Sequence, residues 1–184
     1  MPTSSPAAIT YICNRITRLE PLSVLDVGIG FGKYGFLARE YTDVYRGRYH
    51  KDEWVTNIDG IEGFKNLVTE FHHYVYNNIY IGDACALINT LNNYDLIVCV
   101  DMLEHVEKDK GKLLLNAFKN KSKTTIVSVP IKPSKQGKGK YNNPFAPHRS
   151  VWLEEELSEF GNITKIKDYN KMKEYVDMFF LLET

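Results

Sequence analysis

The stretch from Leu22 to Gly35, LSVLDVGIGFGKYG, constrains this chain more than any other. Val24, Leu25 and Val27 around Asp26 read as a buried strand, Gly28, Gly30 and Gly32 follow at spacing two, and Lys33 onward reads as a helix start. A strand that turns through glycines into a helix gathers backbone N–H groups at a helix N-terminus, where a polar or negatively charged ligand group can be held. Glycine suits such a turn because it reaches positive φ and leaves no Cβ between ligand and backbone. Two glycine patterns overlap here. Gly30-x-Gly32-x-x-Gly35 has the form of a dinucleotide fingerprint, but it would leave Asp26 and Gly28 inside the end of an apolar strand. Asp26-x-Gly28-x-Gly30-x-Gly32 starts the turn where the strand ends and sets Asp26 beside the ligand.

The remaining chain repeats the strand–helix theme. Residues 1–21 hold a tail and an amphipathic helix from Pro6 to Leu19, closed by Pro21. Strands are expected over 23–28, 55–62, 78–82, 94–100 and 124–129, with helices over 32–40, 63–72, 84–91 and 109–120. YDLIVCV at 94–100 has no polar alternation, as befits a central strand buried on both faces. The segment 42–57 is long for a helix-to-strand connection, and is expected to form a short helix or a flap that acts as a substrate lid. The lysine- and glycine-rich segment 131–147 reads as a mobile basic loop. Ser150 is expected to cap a helix ending at Gly161, and 163–168 and 174–182 to form a closing antiparallel pair. This order predicts one α/β domain over residues 1–184. Its core would be a doubly wound, mostly parallel seven-stranded Rossmann-like sheet with helices on both faces and an antiparallel C-terminal strand pair.

Composition narrows the function classes. The 23 basic and 23 acidic residues cancel, so no global field draws the chain to nucleic acid or to an anionic membrane. No apolar run approaches about 18 residues, so no membrane span is expected. Cys13, Cys85 and Cys99 have no paired metal-ligand spacing, which argues for a reducing, cytoplasmic setting without disulfide scaffold or metal.

In doubly wound sheets ligands lie across the carboxyl ends of the strands. Those ends carry Asp26 with Gly28, then Glu62, Asp83 and Asp101. Carboxylates lined along one edge repel unless a ligand bridges them, so they read as a site.

At this point the residues resemble a known family. VLDVGIGFGKYG resembles the first motif of the class I S-adenosylmethionine-dependent methyltransferases. YDLIVCVDMLEHV at 94–106 resembles their fourth motif, in the subset reading aspartate-x-leucine-glutamate-histidine at the strand exit. The likeness runs from Leu22 to Pro130 and then thins to general topology. It implies S-adenosylmethionine as cofactor and in-line methyl transfer to an acceptor.

The resemblance also implies a cofactor set of Asp26, Gly28, Gly30, Gly32, Glu62, Asp83, Ala84 and Asp101. Glu62 would accept both ribose hydroxyls, a role for which Asp59 competes less well from inside the strand. Asp83 would take the adenine amine with the Ala84 or Cys85 N–H beside it, or simply cap the following helix. Asp26 would hold the loop backbone or, through water, the methionine amino group. Lys33 departs from the pattern, since it sets a cation near a cofactor that is already positive.

Asp101 and His105 are the catalytic candidates, His105 as substrate contact, as base or as a structural residue of the turn. Substrate contacts are expected from His105, Lys135, Lys138, Lys140, His148, Arg149 and Trp152. The basic residues either grip phosphate or carboxylate or merely solubilise the loop, while Tyr141, Phe145 and Trp152 offer stacking surfaces. Small molecule, protein side chain and RNA all stay open as acceptors, and a partner subunit or homodimer stays open as well. Two other functions use the same fold: a nicotinamide-dependent oxidoreductase and a non-catalytic cofactor-binding module. The late Glu62 and the placement of Asp26 disfavour the first, and the intact set of polar strand ends the second.

Overall fold

Apolar side chains alternate along the central strands and fill two separate cores. Leu25, Val27, Ile97, Cys99, Val127 and Val129 pack to one side, while Val24, Leu96, Val98, Val100 and Ile126 pack to the other. A strand buried on both faces needs helices on both, and the chain supplies them. The computed structural model describes residues 4, 6–130, 136–138, 141–170 and 173–183, with the backbone alone for 7, 166–170 and 173–183.

Helix α1 (Ile9–Leu19) precedes strand β1 (Ser23–Val27), and α2 (Lys33–Thr42) follows it. Then come β2 (Asn57–Glu62), α3 (Glu70–Val75), β3 (Asn78–Ile81), α4 (Ala84–Leu87), β4 (Tyr94–Val100), α5 (Lys108–Lys121) and β5 (Ser122–Pro130). A short α6 (Glu154–Ser158) leads to β6 (Asn162–Asn170) and β7 (Lys173–Glu183). The sheet runs β3-β2-β1-β4-β5-β7-β6. β1 to β5 pair in parallel, β7 runs antiparallel to β5, and β6 antiparallel to β7. Five strands therefore form the parallel part of a Rossmann-like α/β sheet. Helices α1 and α2 contribute Ile12, Ile16, Tyr34 and Ala38 to one core, and α5 contributes Leu114, Leu115 and Phe118 to the other. Among the described residues no helix is long and apolar enough to cross a membrane.

The register puts Val27 opposite Ile61 and Glu62 opposite Ile81, so β1, β2 and β3 end at neighbouring points. Their order reverses at β1, with β2 on one side and β4 on the other. The crevice at such a reversal is where this architecture binds ligands.

Three local expectations change. No long helix spans 63–72; a 3-10 turn (Lys65–Leu67) precedes the short α3. Thr69 starts α3 because its N–H donates to His72 Nδ1 at 3.1 Å. Ser150 does not cap a helix. Its N–H donates to the Glu104 carbonyl at 3.1 Å, and the N–H of Leu153 instead meets Glu156 Oε2 at 2.9 Å to begin α6.

The segment between α2 and β2 folds into two 3-10 turns, Val44–Arg46 and Lys51–Glu53. It cannot be a lid, because a connection from a helix end to a strand start lies at the N-terminal edge of the sheet, opposite the crevice. Its anchor is Asp43, which is fully buried. Asp43 accepts from Arg39 at 2.5 Å, from Arg48 at 2.8 Å and from the Val55 N–H at 3.0 Å. Burial works to raise this carboxyl, but the Val55 N–H and the two guanidiniums outweigh it and hold it below its ordinary range.

Candidate active site

A cavity of about 680 Å³ opens at the carboxyl ends of β1 to β5. Gly28, Gly30, Glu62, Asp83, Ala84, Asp101, His105, Lys138 and His148 of the expected set line it. Asp26 and Gly32 lie behind its wall.

The bend after β1 is pinned onto β2. The N–H groups of Gly28 and Ile29 both donate to the Ile61 carbonyl, at 2.9 and 3.2 Å. Gly30 N–H donates to Glu62 Oε2 at 3.1 Å, and Gly32 N–H to the Ile29 carbonyl at 2.7 Å. These four amides are spent inside the protein, and what the glycine positions offer a ligand is space. At Gly28, φ is +81°, and a Cβ would stand 2.6 Å from Met102 Cγ. Only glycine meets both conditions without strain.

Asp26 holds this bend from below. Its Oδ2 accepts the Gly35 N–H at 3.0 Å and the Tyr76 hydroxyl at 2.6 Å, which ties β1 to the first turn of α2 and to the residue after α3. Burial pushes its carboxyl up to about 6, against the pull of those two donors, with the Glu62 charge adding to the rise. His72 Nε2 meets the Gly30 carbonyl at 3.1 Å from the other side. Neither Tyr76 nor His72 is visible as a site residue in the sequence, since only the packing of α3 against the bend brings them there.

Glu62 ends β2 on the cavity wall, its Oε1 accepting the Phe64 N–H at 2.8 Å. Burial raises its carboxyl despite these backbone donors. Asp59 is occupied elsewhere, accepting from Asn78 and from the Tyr94 hydroxyl. Asp83 begins α4 by accepting the Cys85 N–H at 2.9 Å, and so combines the cap with a place on the wall. Asp101 follows β4 with φ +49°, a left-handed conformation that an aspartate tolerates better than most residues. Its Oδ1 accepts the Ser128 hydroxyl at 2.7 Å, fixing the carboxylate to β5.

Beyond Asp101 the chain makes a 3-10 turn, Leu103–His105. His105 Nδ1 lies 3.2 Å from the Pro147 carbonyl, and because a carbonyl only accepts, Nδ1 carries the proton. Burial pushes this imidazole down to about 4, with His148 adding to the shift, so it is a weak proton acceptor at neutral pH. Lys33 turns its ammonium to Ser4, donating to its carbonyl at 2.6 Å.

Two substrate candidates are corrected. Trp152 is 1% exposed and packs against Gly111 in the core, because the backbone of 149–150 is drawn onto the Glu104 carbonyl. Arg149 bends back to the Pro144 carbonyl at 2.7 Å and does not reach the wall. Lys135 and Lys140 lie outside the described residues. Phe64, Met102, Glu104, Tyr141 and Phe145 join the wall without having been singled out as principal candidates. Phe145 is placed by Gly63, where a Cβ would sit 2.7 Å from its ring.

Sheet order, bend and carboxylate edge together define the fold of the class I S-adenosylmethionine-dependent methyltransferases. Solved structures share this fold. The N-terminal domain of EvdMO1, crystallised with S-adenosylhomocysteine and D-fucose, superposes with a TM-score of 0.65 at 18% identity, over 99% of this chain and 84% of that one. Magnesium protoporphyrin IX methyltransferase from Synechocystis PCC 6803, with bound S-adenosylmethionine, gives 0.58 at 13% identity, over 97% and 80%. In sequence, the ubiquinone biosynthesis O-methyltransferase of Rickettsia bellii (strain OSU 85-389) is 28% identical over 122 residues, 62% of this chain. The chain spans 45% of the length of that curated relative. No family model matches the chain.

Proposed function

We propose that this protein is an S-adenosylmethionine-dependent methyltransferase, acting on an oxygen acceptor. One observation carries the reading: Glu62, Asp83 and Asp101 face one cavity, beside a bend whose Gly28, Ile29, Gly30 and Gly32 N–H groups are bonded within the protein. Such a wall suits a ligand rich in hydroxyl and amine donors and bearing positive charge. It suits the pyrophosphate of a nicotinamide dinucleotide less well, since that anion would meet three carboxylates and find the glycine N–H groups of the bend already bonded.

Glu62 would hold the ribose hydroxyls, Asp83 and Ala84 the base, and Gly28 with Gly30 the close approach of the amino-acid end. Asp26 and Gly32 act from behind by setting the bend. The cofactor supplies a methyl group on a sulfonium, an electrophile strong enough that the protein's work is alignment and exclusion of water. Asp101 and His105 lie on the acceptor side of the same cavity, His105 as an orienting group rather than a base. The oxygen acceptor is supported by the O-methyltransferase relative and by Asp101-Met102-Leu103-Glu104 standing where amino-methylating nucleic-acid enzymes carry an Asn-Pro-Pro-Phe type motif. Lys138, with Lys135 and Lys140, would meet an anionic part of the acceptor. Small molecule, exposed protein side chain and RNA remain the acceptor classes. The free thiols Cys13, Cys85 and Cys99 support placement in the reducing cytoplasm.

Calorimetric titration of the purified chain with S-adenosylhomocysteine and, separately, with a nicotinamide dinucleotide tests the reading. Saturable binding of the first alone is expected. Binding of the dinucleotide, or of neither at millimolar concentration, would overturn it.

A further inference from the structure

Glu104, His105 and His148 meet on one wall of the cavity, although His148 comes 43 residues after His105 in the chain. One ligand atom from each lies within 4.8 Å of the others. The two imidazole rings are in edge-to-face contact, with centroids 4.7 Å apart, and Glu104 is 3% exposed. We propose that these three residues form a binding site for a first-row divalent cation, whose open coordination positions face the cavity and take an oxygen of the methyl acceptor.

The donor chemistry fits. Two imidazole nitrogens and one carboxylate are the set used by catalytic zinc and by other open divalent sites, which keep positions free for a non-protein ligand. Because Nδ1 of His105 donates to the Pro147 carbonyl, its lone pair is on Nε2, and a ligating histidine commonly has its other nitrogen fixed in this way. An ion drawing each donor to roughly 2 Å closes the 4.8 Å spacing through side-chain rotation.

The scaffold is built to hold the three together. The Glu104 carbonyl accepts the N–H groups of Arg149 and Ser150 at 2.8 and 3.1 Å, and the Ser150 hydroxyl reaches the Leu103 carbonyl at 3.4 Å. With the His105 to Pro147 bond, four hydrogen bonds clamp the turn after β4 against the segment that carries His148. A clamp from both sides of each ligand is what preorganises a metal site.

The acceptor part of this inference rests on the methyltransferase reading, while ion binding does not. The full chain, stripped with chelator, is titrated calorimetrically with Zn²⁺ and with Mn²⁺ in the absence of any nucleoside, and then with S-adenosylhomocysteine. One ion per chain is expected. His148→Gln and Glu104→Gln should each weaken ion binding by about tenfold or more, with melting temperature checking that each variant folds. His148→Gln carries the test if the buried Glu104→Gln does not fold. Failure of both ions to bind, or an affinity that His148→Gln leaves unchanged, overturns the site. Ion binding without nucleoside binding sustains the site and overturns the methyltransferase reading instead.

Discussion

Met102 lies directly against the bare α-carbon of Gly28: its Cγ stands 2.6 Å and its Cβ 3.0 Å from the point where a β-carbon would be. The loop leaving β4 thus closes over the bend leaving β1, and the absent side chain is what lets the two meet. Gly28→Ala should force the loop outward and strain a residue at φ +81°, costing about 1–3 kcal/mol of stability. S-adenosylhomocysteine affinity should fall by about tenfold or more, as a steric block at the wall. Unchanged affinity in a calorimetric titration would remove Gly28 from the site.

Glu62→Gln keeps the shape of the side chain and removes its charge. If the carboxylate holds the ribose hydroxyls, nucleoside binding should weaken by about 1.5–3 kcal/mol. Asp59→Asn, at a residue already engaged with Asn78 and Tyr94, should instead lower the melting temperature and spare affinity. The opposite pattern of losses would transfer the ribose role to Asp59.

Asp43→Ala should leave the buried Arg39 guanidinium without its ion-pair partner. Breaking one side of such a pair costs about 3–5 kcal/mol, which urea denaturation reads directly. Since this cluster lies at the edge of the sheet away from the cavity, nucleoside affinity in the surviving folded fraction should not change. A variant as stable as the parent would show that the Arg39–Asp43 contact contributes nothing to holding 42–57.

Burial favours the protonated form of Asp26, whose carboxyl titrates at about 6 in the fold against an ordinary value near 3.8. The folded state therefore binds the extra proton between those values. Stability from this group is complete below the ordinary value and is lost as pH rises through about 6, a change of order ~3 kcal/mol. Asp26→Asn should flatten the stability profile of the chain over that window. Denaturation curves at a series of pH values, with the same slope in parent and variant, would refute this account.

Local pattern made much of the fold legible. The unalternating run at 94–100 is buried throughout β4 apart from Asp95, and the glycine bend stands where the apolar strand ends. The strand-end carboxylates Glu62, Asp83 and Asp101 were readable because strand ends in a parallel sheet necessarily share one edge. Where a side chain's role depends on what packs against it, the pattern was silent. Trp152 could stack on a substrate or fill a core, and the hydrogen bonds of Arg149 and Ser150 to Glu104 decide for the core.

By itself, then, the sequence determined the alternation of elements, the parallel sheet they build and the edge that carries the polar groups. These follow from side-chain periodicity and from where glycine permits a turn. Only the tertiary structure decided that the Gly28, Ile29 and Gly30 amides are spent on Ile61 and Glu62, that Asp26 supports the bend from behind, and that His148 meets Glu104 and His105. Those are contacts between distant segments. Their partners are set by how helices and loops pack on the sheet, and short-range spacing holds no record of that.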